Sequence, residues 1–238
     1  MLFKNKILNL ILKINSFLSP KNKFNKRTLR YLLYEKSIND SLEFISKNMT
    51  NSQVFETREG LYSWCFDRIT KKGLILEFGV HNGNSINYLA NLTDEIIHGF
   101  DSFEGLPSDG IIPKFNDGAS KWFEGKMTNF GKEPNVRKNV KLYKGWFDKT
   151  LPVFYKDNKN FISLMHIDCD IYSSTKTVLN CSKKNIKKGT IIIFDEFLNY
   201  EGWQNNEYRA FIEFTKNNKI KYTFIAYSYL GGVAVQIC

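Results

Sequence analysis

The spacing of apolar residues changes near residue 73 of this chain. Upstream, residues 29–49 have a helical pattern, and the stretch SQVFETREGLYSWCFDRIT over 52–70 predicts a second helix with Ser52 as its N-cap. Downstream, short apolar runs alternate with helical stretches, which is typical of βαβ units. The predicted strands cover residues 74–79, 95–100, 139–144, 162–167, 190–195, 221–228 and 232–237, and the predicted helices cover residues 84–92, 150–157, 173–184 and 204–217.

The order of these elements predicts the fold class. Strands that alternate with helices favour a Rossmann-like, doubly wound α/β sheet whose strands are mostly parallel. The last two predicted strands are joined only by YLGG, a glycine-containing hairpin turn, so the final strand should run antiparallel. We therefore expect a seven-stranded sheet over residues 51–238, preceded by a basic helical extension over residues 1–50.

Positive charge is concentrated at the start of the chain. The net charge is +10, yet residues 1–40 hold nine Lys or Arg against two acids, which is +7 and leaves +3 for the other 198 residues. The α/β part is therefore nearly balanced, and it carries no helix-turn-helix, zinc-finger or RNA-binding signature. Nucleic acid is not an expected substrate.

The first 20 residues have the pattern of an amphipathic helix. They lack a cleavage site for export, and their apolar stretch is too short to span a bilayer. This helix is expected to pack on the body or on a second subunit, with peripheral contact to an anionic membrane surface as the alternative. Its apolar face is formed by Phe3, Ile7, Leu10, Ile14 and Leu18.

Cysteine use indicates the compartment. The four cysteines form no CxxC pair and no metal-binding spacing, and no export signal precedes them. Free thiols in a reducing cytoplasm are the expectation, with the inner face of the membrane as the place of any peripheral contact.

In an open α/β sheet, ligands bind outside the carboxyl ends of the strands, so the chemistry is expected where each strand stops. The first predicted strand ends in LEFGVHNGNS, an ExGxxxG turn with a serine at the start of the next helix. Glycines permit a tight turn and let backbone amides approach a ligand, and a carboxylate ahead of them suits a ligand that bears an ammonium group. The alternative is a generic β–α turn. The residues concerned are Glu77, Gly79, Gly83 and Ser85.

Two further strand ends add to this ligand-binding pattern. Asp101 follows Gly79 by 22 residues, about where a Rossmann-like half places a ribose-binding acid. Trp146, at the end of the third strand, is a candidate wall for an adenine ring. The alternatives are a helix cap for Asp101 and an ordinary core or lid position for Trp146.

Two pairs of acids end the next two strands. Asp168 and Asp170 lie in HIDCDIYSST, and Asp195 and Glu196 lie in IIIFDEF. Neighbouring strands would bring the pairs together, and no Lys or Arg lies close to them in sequence, so they should repel one another unless a divalent cation is present. Oxygen ligands without His or Cys suit Mg²⁺, or alternatively Mn²⁺ or Ca²⁺. His98 and His166 are expected in the core, whereas His81, in the glycine turn, is a candidate ligand contact.

These motifs together resemble the class I S-adenosylmethionine-dependent methyltransferases, and more narrowly the metal-dependent sugar O-methyltransferases of the macrocin and mycinamicin type. The resemblance covers roughly residues 55–238 and is carried by LEFGVHNGNS, DSFEGLP, GWFDKTLP, HIDCDIYSST and FDEF, in that order. DSFEGLP and the DxDxYxST pattern over 168–175 are specific, whereas the glycine turn alone is not. The resemblance implies a Rossmann-like fold, S-adenosylmethionine as cofactor, a small-molecule or glycan acceptor, and a homodimer.

The resemblance also implies roles for individual residues. The methionine end of the cofactor is expected at Glu77, Gly79, Gly83 and Ser85, its ribose at Asp101 and Ser102, and its adenine near Trp146. The implied metal ligands are Asp168, Asp195 and Glu196.

Two features depart from the family pattern or leave a role open. In the acid pair after the fifth strand, the second acid is Glu196, where the family usually has an aspartate. Residues 1–50 do not align with the family pattern. A divalent ion would lower the pKa of an acceptor hydroxyl and orient it, and a nearby carboxylate could accept the proton. Asp168 and Asp170 are both candidates for that base.

Three alternative functions predict other features of the sequence or of its activity. An NAD-linked oxidoreductase would show GxGxxG and would not need an acid cluster. A non-catalytic cofactor-binding scaffold in glycan assembly predicts cofactor binding without dependence on the acids. An O-methyltransferase for a catechol-like diol would satisfy the same metal chemistry.

Overall fold

A computed structural model of the protein describes residues 29–108 and 125–238. The strands are β1 (Gln53–Phe55), β2 (Leu74–Phe78), β3 (Ile97–Asp101), β4 (Val140–Lys144), β5 (Ile162–Ile167), β6 (Ile191–Phe194), β7 (Tyr222–Ser228) and β8 (Val233–Ile237). The helices are α1 (Leu29–Asn48), α2 (Arg58–Phe66), α3 (Asn84–Asn91), α4 (Phe147–Asp157), α5 (Tyr172–Ser182) and α6 (Glu207–Asn218), and a 3₁₀ turn, Trp203–Asn205, precedes α6.

The strands form one sheet in the order β1-β7-β8-β6-β5-β2-β3-β4. Every pairing is parallel except those of β8, which runs antiparallel to β6 and β7. The predicted α/β class and the reversed last strand are confirmed. The number of strands is eight and not seven, because β1 was not predicted.

The region 52–70 is where the predicted secondary structure is wrong. Its first residues form β1, which pairs with β7 at the edge of the sheet, and the Ser52 hydroxyl donates to the Phe224 carbonyl at 3.0 Å. The helix begins only at Arg58, because Thr57 is the N-cap and accepts from the Gly60 amide at 3.1 Å. A three-residue strand is too short for a period-two pattern to be recognised. This shift places Arg58 at the first position of α2, beside the strand ends.

Helices cover both faces of the sheet, and alternating strand residues contribute to two apolar clusters. One cluster joins the sheet to α4, α5 and α6, and the other joins it to α2 and α3. Helix α1 packs on the first cluster, where the Phe44 ring lies 5.4 Å from those of Trp203 and Tyr208. Residues 29–48 are therefore packed on the α/β body.

The predicted helix over residues 1–20, with its membrane or subunit contact, lies outside the described residues and stays a prediction, as do the homodimer and the cytoplasmic location. Within 29–108 and 125–238, none of the helices combines the length and the apolar character needed to cross a bilayer.

The central strands β2 and β5 approach closely at their carboxyl ends. The Asp168 amide donates to the Phe78 carbonyl at 2.8 Å, and Gly79 follows with a φ of 92°. A Cβ atom on Gly79 would lie 1.7 Å from the Asp168 carbonyl oxygen. Glycine is therefore required here by the contact between two strand ends, in addition to any role in ligand binding.

We predict that Gly79→Ala destabilises the protein by more than about 2 kcal/mol, since the backbone must move as well as adopt an unfavourable φ. Urea unfolding followed by circular dichroism measures the change in unfolding free energy. Gly125→Ala is the matched control, because Gly125 also has a positive φ, 75°, but a Cβ there meets no atom of the described residues within 4 Å. Equal destabilisation by the two substitutions would contradict the steric argument.

Candidate active site

A cavity of about 530 Å³ lies at the carboxyl ends of β2, β3, β5 and β6. Its walls come from the glycine turn after β2, the segments after β3 and β4, both acid pairs, and the start of α2. Among the described residues, acids in this lining outnumber basic residues. The basic residues are Arg58 and His81. The carboxylates that line it are Glu59, Asp101, Asp168, Asp170, Asp195 and Glu196.

Asp101 is fixed by backbone amides on the cavity wall. Its Oδ2 accepts from the amides of Val80 and His81 at 2.8 Å each, and its Oδ1 accepts from the Phe103 amide at 2.7 Å. The carboxylate therefore ties the turn after β2 to the end of β3. The helix-cap alternative does not describe this geometry, because the amides it accepts from belong to two loops.

Glu77 lies behind the glycine turn and not on the cavity wall. Its side chain is fully buried, and the Ser85 hydroxyl donates to its Oε1 at 2.5 Å. Its Oε2 has no hydrogen-bond partner in the described part of the chain. Gly83, with a φ of 80°, is the N-cap of α3 and likewise does not line the cavity, whereas Gly79 and Ser85 do.

The other two predicted cofactor residues line the cavity. The Ser102 hydroxyl donates to the Gly105 carbonyl at 3.2 Å and accepts from the Glu104 amide at 3.1 Å, so it shapes the loop after β3. Trp146 precedes α4 with 38% of its surface exposed, and this ring can cover a flat ligand.

The two acid pairs converge because β5 and β6 are parallel neighbours, paired from Leu164↔Ile191 to Ile167↔Phe194. Three side chains offer ligand atoms that all lie within 4.8 Å of one another: His166, Asp168 and Asp195. Glu196 lines the same cavity but is not part of that group. His166 is buried as expected, yet its ring faces the acids and adds a nitrogen donor to the predicted oxygen set.

Arg58 supplies a cation that sequence reasoning missed. Its Nη1 lies 2.8 Å from Asp195 Oδ2, and its Nη2 lies 3.8 Å from Glu196 Oε1. No Lys or Arg lies close to the acids in sequence, but the fold brings Arg58 to them, and this cation offsets part of the expected repulsion without a metal ion. No motif marks Arg58, because its proximity depends on where α2 begins and on the pairing of β1 with β7.

Tyr62, one turn along α2, contacts the same acids and was also missed. Its hydroxyl donates to Asp195 Oδ1 at 3.1 Å and lies 3.2 Å from His166 Nε2. On the far side of the imidazole, His166 Nδ1 is 3.8 Å from Glu77 Oε2. A buried polar row therefore runs from Glu77, behind the glycine turn, to the acids.

Burial changes the protonation of these acids. Burial raises the pKa of Asp168 and the pKa of Asp170. Nearby carboxylates raise both pKa values further, and Asp195 is among them in each case. Burial also raises the pKa of Glu196 to about 8, an effect that Asp170 and Asp195 increase and that Arg58 and Lys126 reduce. Behind Glu196, the fully buried Glu207 accepts from the Glu196 amide at 3.1 Å.

The residues present fit both a sulfonium cofactor and a divalent cation. Buried carboxylates that raise one another's pKa are stabilised in the ionised form by added positive charge. Carboxylate oxygens suit Mg²⁺ and Mn²⁺, and the nearby imidazole of His166 also suits transition metals such as Mn²⁺. The unpartnered Oε2 of Glu77 provides an acceptor beside the glycine turn.

The fold is that of the Rossmann-like methyltransferases. The calicheamicin methyltransferase CalS11 aligns with a TM-score of 0.60 and 20% identity over 92% of this chain and 93% of that one. The O-methyltransferase NovP aligns with a TM-score of 0.56 and 20% identity over 75% and 78%. An O-methyltransferase from Bacillus cereus, in complex with SAH, aligns with a TM-score of 0.50 and 14% identity over 95% of both chains. Among curated proteins, no sequence match was found.

Residues 63–231 match the family model described as Macrocin-O-methyltransferase (TylF). This match spans most of the chain and includes the glycine turn, Asp101 and both acid pairs. The chain belongs to the macrocin O-methyltransferase family, and it is an S-adenosylmethionine-dependent O-methyltransferase.

We predict that, in EDTA, the melting temperature falls as the pH rises from about 5 to 8. The pKa of Glu196 is raised in the folded protein from 4.5 to about 8. A carboxyl group with a raised pKa contributes stability that is complete below its unfolded pKa and is lost as the pH rises through its folded pKa. Thermal unfolding at several pH values should show a smaller fall for Glu196→Gln.

Glu213→Gln is the control for this prediction, because Glu213 lies at the surface and its pKa is lowered by Tyr172 and Arg209. That variant should keep the full fall in melting temperature. An unchanged fall in Glu196→Gln would contradict the assignment of the raised pKa.

Proposed function

We propose that this enzyme transfers the methyl group of S-adenosylmethionine to a hydroxyl of a sugar or glycan, with a divalent metal ion at the acid pairs. The observation that carries the proposal is the single cavity that has the glycine turn and Asp101 at one side and both acid pairs at the other. CalS11, which shares the fold, is also titled a TDP-rhamnose 3'-O-methyltransferase.

The electrostatics of the cavity support a cationic cofactor. S-adenosylmethionine carries a fixed positive charge on its sulfonium and another on its ammonium group, and the carboxylates that line the cavity attract both. We assign the ribose hydroxyls to Asp101, whose carboxylate is held by three backbone amides. The adenine is assigned to the wall formed by Trp146, and the methionine end to the turn around Gly79 and Ser85 with Glu77 behind it.

The metal is assigned to Asp168 and Asp195, with His166 and Glu196 as neighbouring donors. A divalent ion lowers the pKa of an acceptor hydroxyl and orients it. Two adjacent hydroxyls of a sugar offer the oxygen donors that such an ion prefers.

We assign the proton acceptor to Asp170. Asp168 belongs to the group of ligand atoms within 4.8 Å, whereas Asp170 lies outside it and still lines the cavity. In the reaction the acceptor oxygen bonds to the methyl carbon, the carbon–sulfur bond breaks with its electron pair going to sulfur, and the hydroxyl proton moves to the Asp170 carboxylate. General-base catalysis of this kind contributes about 10²–10⁴-fold.

The reaction is tested with labelled S-adenosylmethionine and a panel of nucleotide sugars, glycosides and catechols, each with Mg²⁺ or with EDTA. We expect transfer to a sugar class that EDTA abolishes. Transfer to catechols alone would favour the diol alternative, and cofactor binding without transfer to any acceptor would favour the scaffold alternative.

Two substitutions separate the roles of the acids. Asp195→Asn should reduce transfer by about 100-fold or more through loss of the metal. Asp170→Asn should reduce kcat by about 10²–10⁴-fold without weakening cofactor binding measured by calorimetry. Asp148→Asn, at an exposed ion pair with Lys149, is the control and should retain activity. Wild-type rates for Asp195→Asn with Mg²⁺ would contradict the proposed metal site.

A further inference from the structure

Arg58 occupies an unusual position for a basic residue in this protein. Its guanidinium contacts Asp195 at 2.8 Å and reaches toward Glu196 at 3.8 Å, and both carboxylates line the active-site cavity. The Arg58 side chain is 38% exposed, whereas that of Asp195 is 2% exposed. A partly exposed cation on the cavity wall is thus paired with a nearly buried anion.

Both carboxylate oxygens of Asp195 have a partner. Arg58 engages Oδ2, and the Tyr62 hydroxyl engages Oδ1. Removing one partner of a buried ion pair leaves an uncompensated charge and is strongly destabilising. The guanidinium therefore stabilises the acid pair by the same charge neutralisation that a metal ion would provide.

Two cations cannot share these oxygens without cost. A guanidinium and a divalent ion that both contact Asp195 would repel each other across a few ångströms. The Arg58 Nε atom is also buried with no hydrogen-bond partner in the described part of the chain, so one of its donors gains nothing from the present position.

We propose that Arg58 is a resident counter-cation that competes with the divalent ion for Asp195 and Glu196, and that metal binding displaces its guanidinium. This inference rests on the metal site of the proposed function. In this role Arg58 keeps the acids assembled in the metal-free enzyme and sets the metal concentration at which the site fills. It is a positioning residue, because it acts through the acids.

The test is a titration of the metal-free full chain with Mn²⁺, followed by electron paramagnetic resonance of the free ion, on wild type and Arg58→Met. Removal of the competing charge should tighten Mn²⁺ binding about tenfold. The metal-free variant should melt at a lower temperature than wild type, and saturating Mn²⁺ should raise its melting temperature by more, because tighter binding stabilises the folded state further.

Two variants keep the test decisive. Arg58→Lys retains the charge without the planar fork, so it should fold and bind Mn²⁺ with an affinity between those of wild type and Arg58→Met. Arg209→Met removes an exposed arginine paired with Glu213 on α6 and should leave Mn²⁺ affinity unchanged.

The outcomes distinguish this inference from the proposed function. Unchanged or weaker Mn²⁺ binding in both Arg58 variants would overturn the competition. Absence of Mn²⁺ binding in every variant would overturn both the competition and the metal site, and methyl transfer that persists in EDTA would then show that the methyltransferase assignment survives. Loss of EDTA-resistant transfer in Arg58→Met would identify Arg58 itself as the catalytic cation and would also overturn the competition.

Discussion

The repulsion among carboxylates at the ends of β5 and β6 is the constraint on which the rest of the active site depends. Asp168, Asp170, Asp195 and Glu196 share one cavity, and their full or partial burial makes each charge more costly than it would be in water. The structure offsets this cost with the Arg58 guanidinium and the Tyr62 hydroxyl, both from the start of α2. Both partners line the same cavity as the acids.

The central strands of the fold bring this charge to the glycine turn, where we propose that the cofactor binds. β2 lies beside β5, and the glycine after β2 contacts the backbone of Asp168 directly. The glycine turn after β2 and the acid pair after β5 are consequently neighbours through their main chains. The row of Glu77, His166, Tyr62 and Asp195 adds a second link through side chains. A substitution in the glycine turn is therefore expected to affect the position of the acids, and a substitution at the acids is expected to affect the turn.

The sequence was most informative where the local pattern and the function agree. Long apolar strands gave the parallel sheet, and the rule that ligands bind at strand ends located Asp101, Trp146 and both acid pairs on one cavity. The sequence was least informative where tertiary contacts determine the start of a helix or the surroundings of a side chain. A three-residue edge strand, visible only through its pairing with β7, moved the start of α2 and brought Arg58 to the acids. His166 matches a core histidine by pattern, and its place among the acids depends on the neighbouring strand β6.

The most direct test is a crystal structure of the enzyme with S-adenosylhomocysteine and Mn²⁺, with anomalous diffraction used to locate the metal. If the proposed sites are correct, an anomalous peak lies in contact with Asp168 and Asp195, the ribose of the product lies on Asp101, and the Arg58 guanidinium is withdrawn from Asp195. The proposed metal site would be contradicted if the product occupies the cavity, no anomalous peak lies at the acids, and Arg58 is still paired with them.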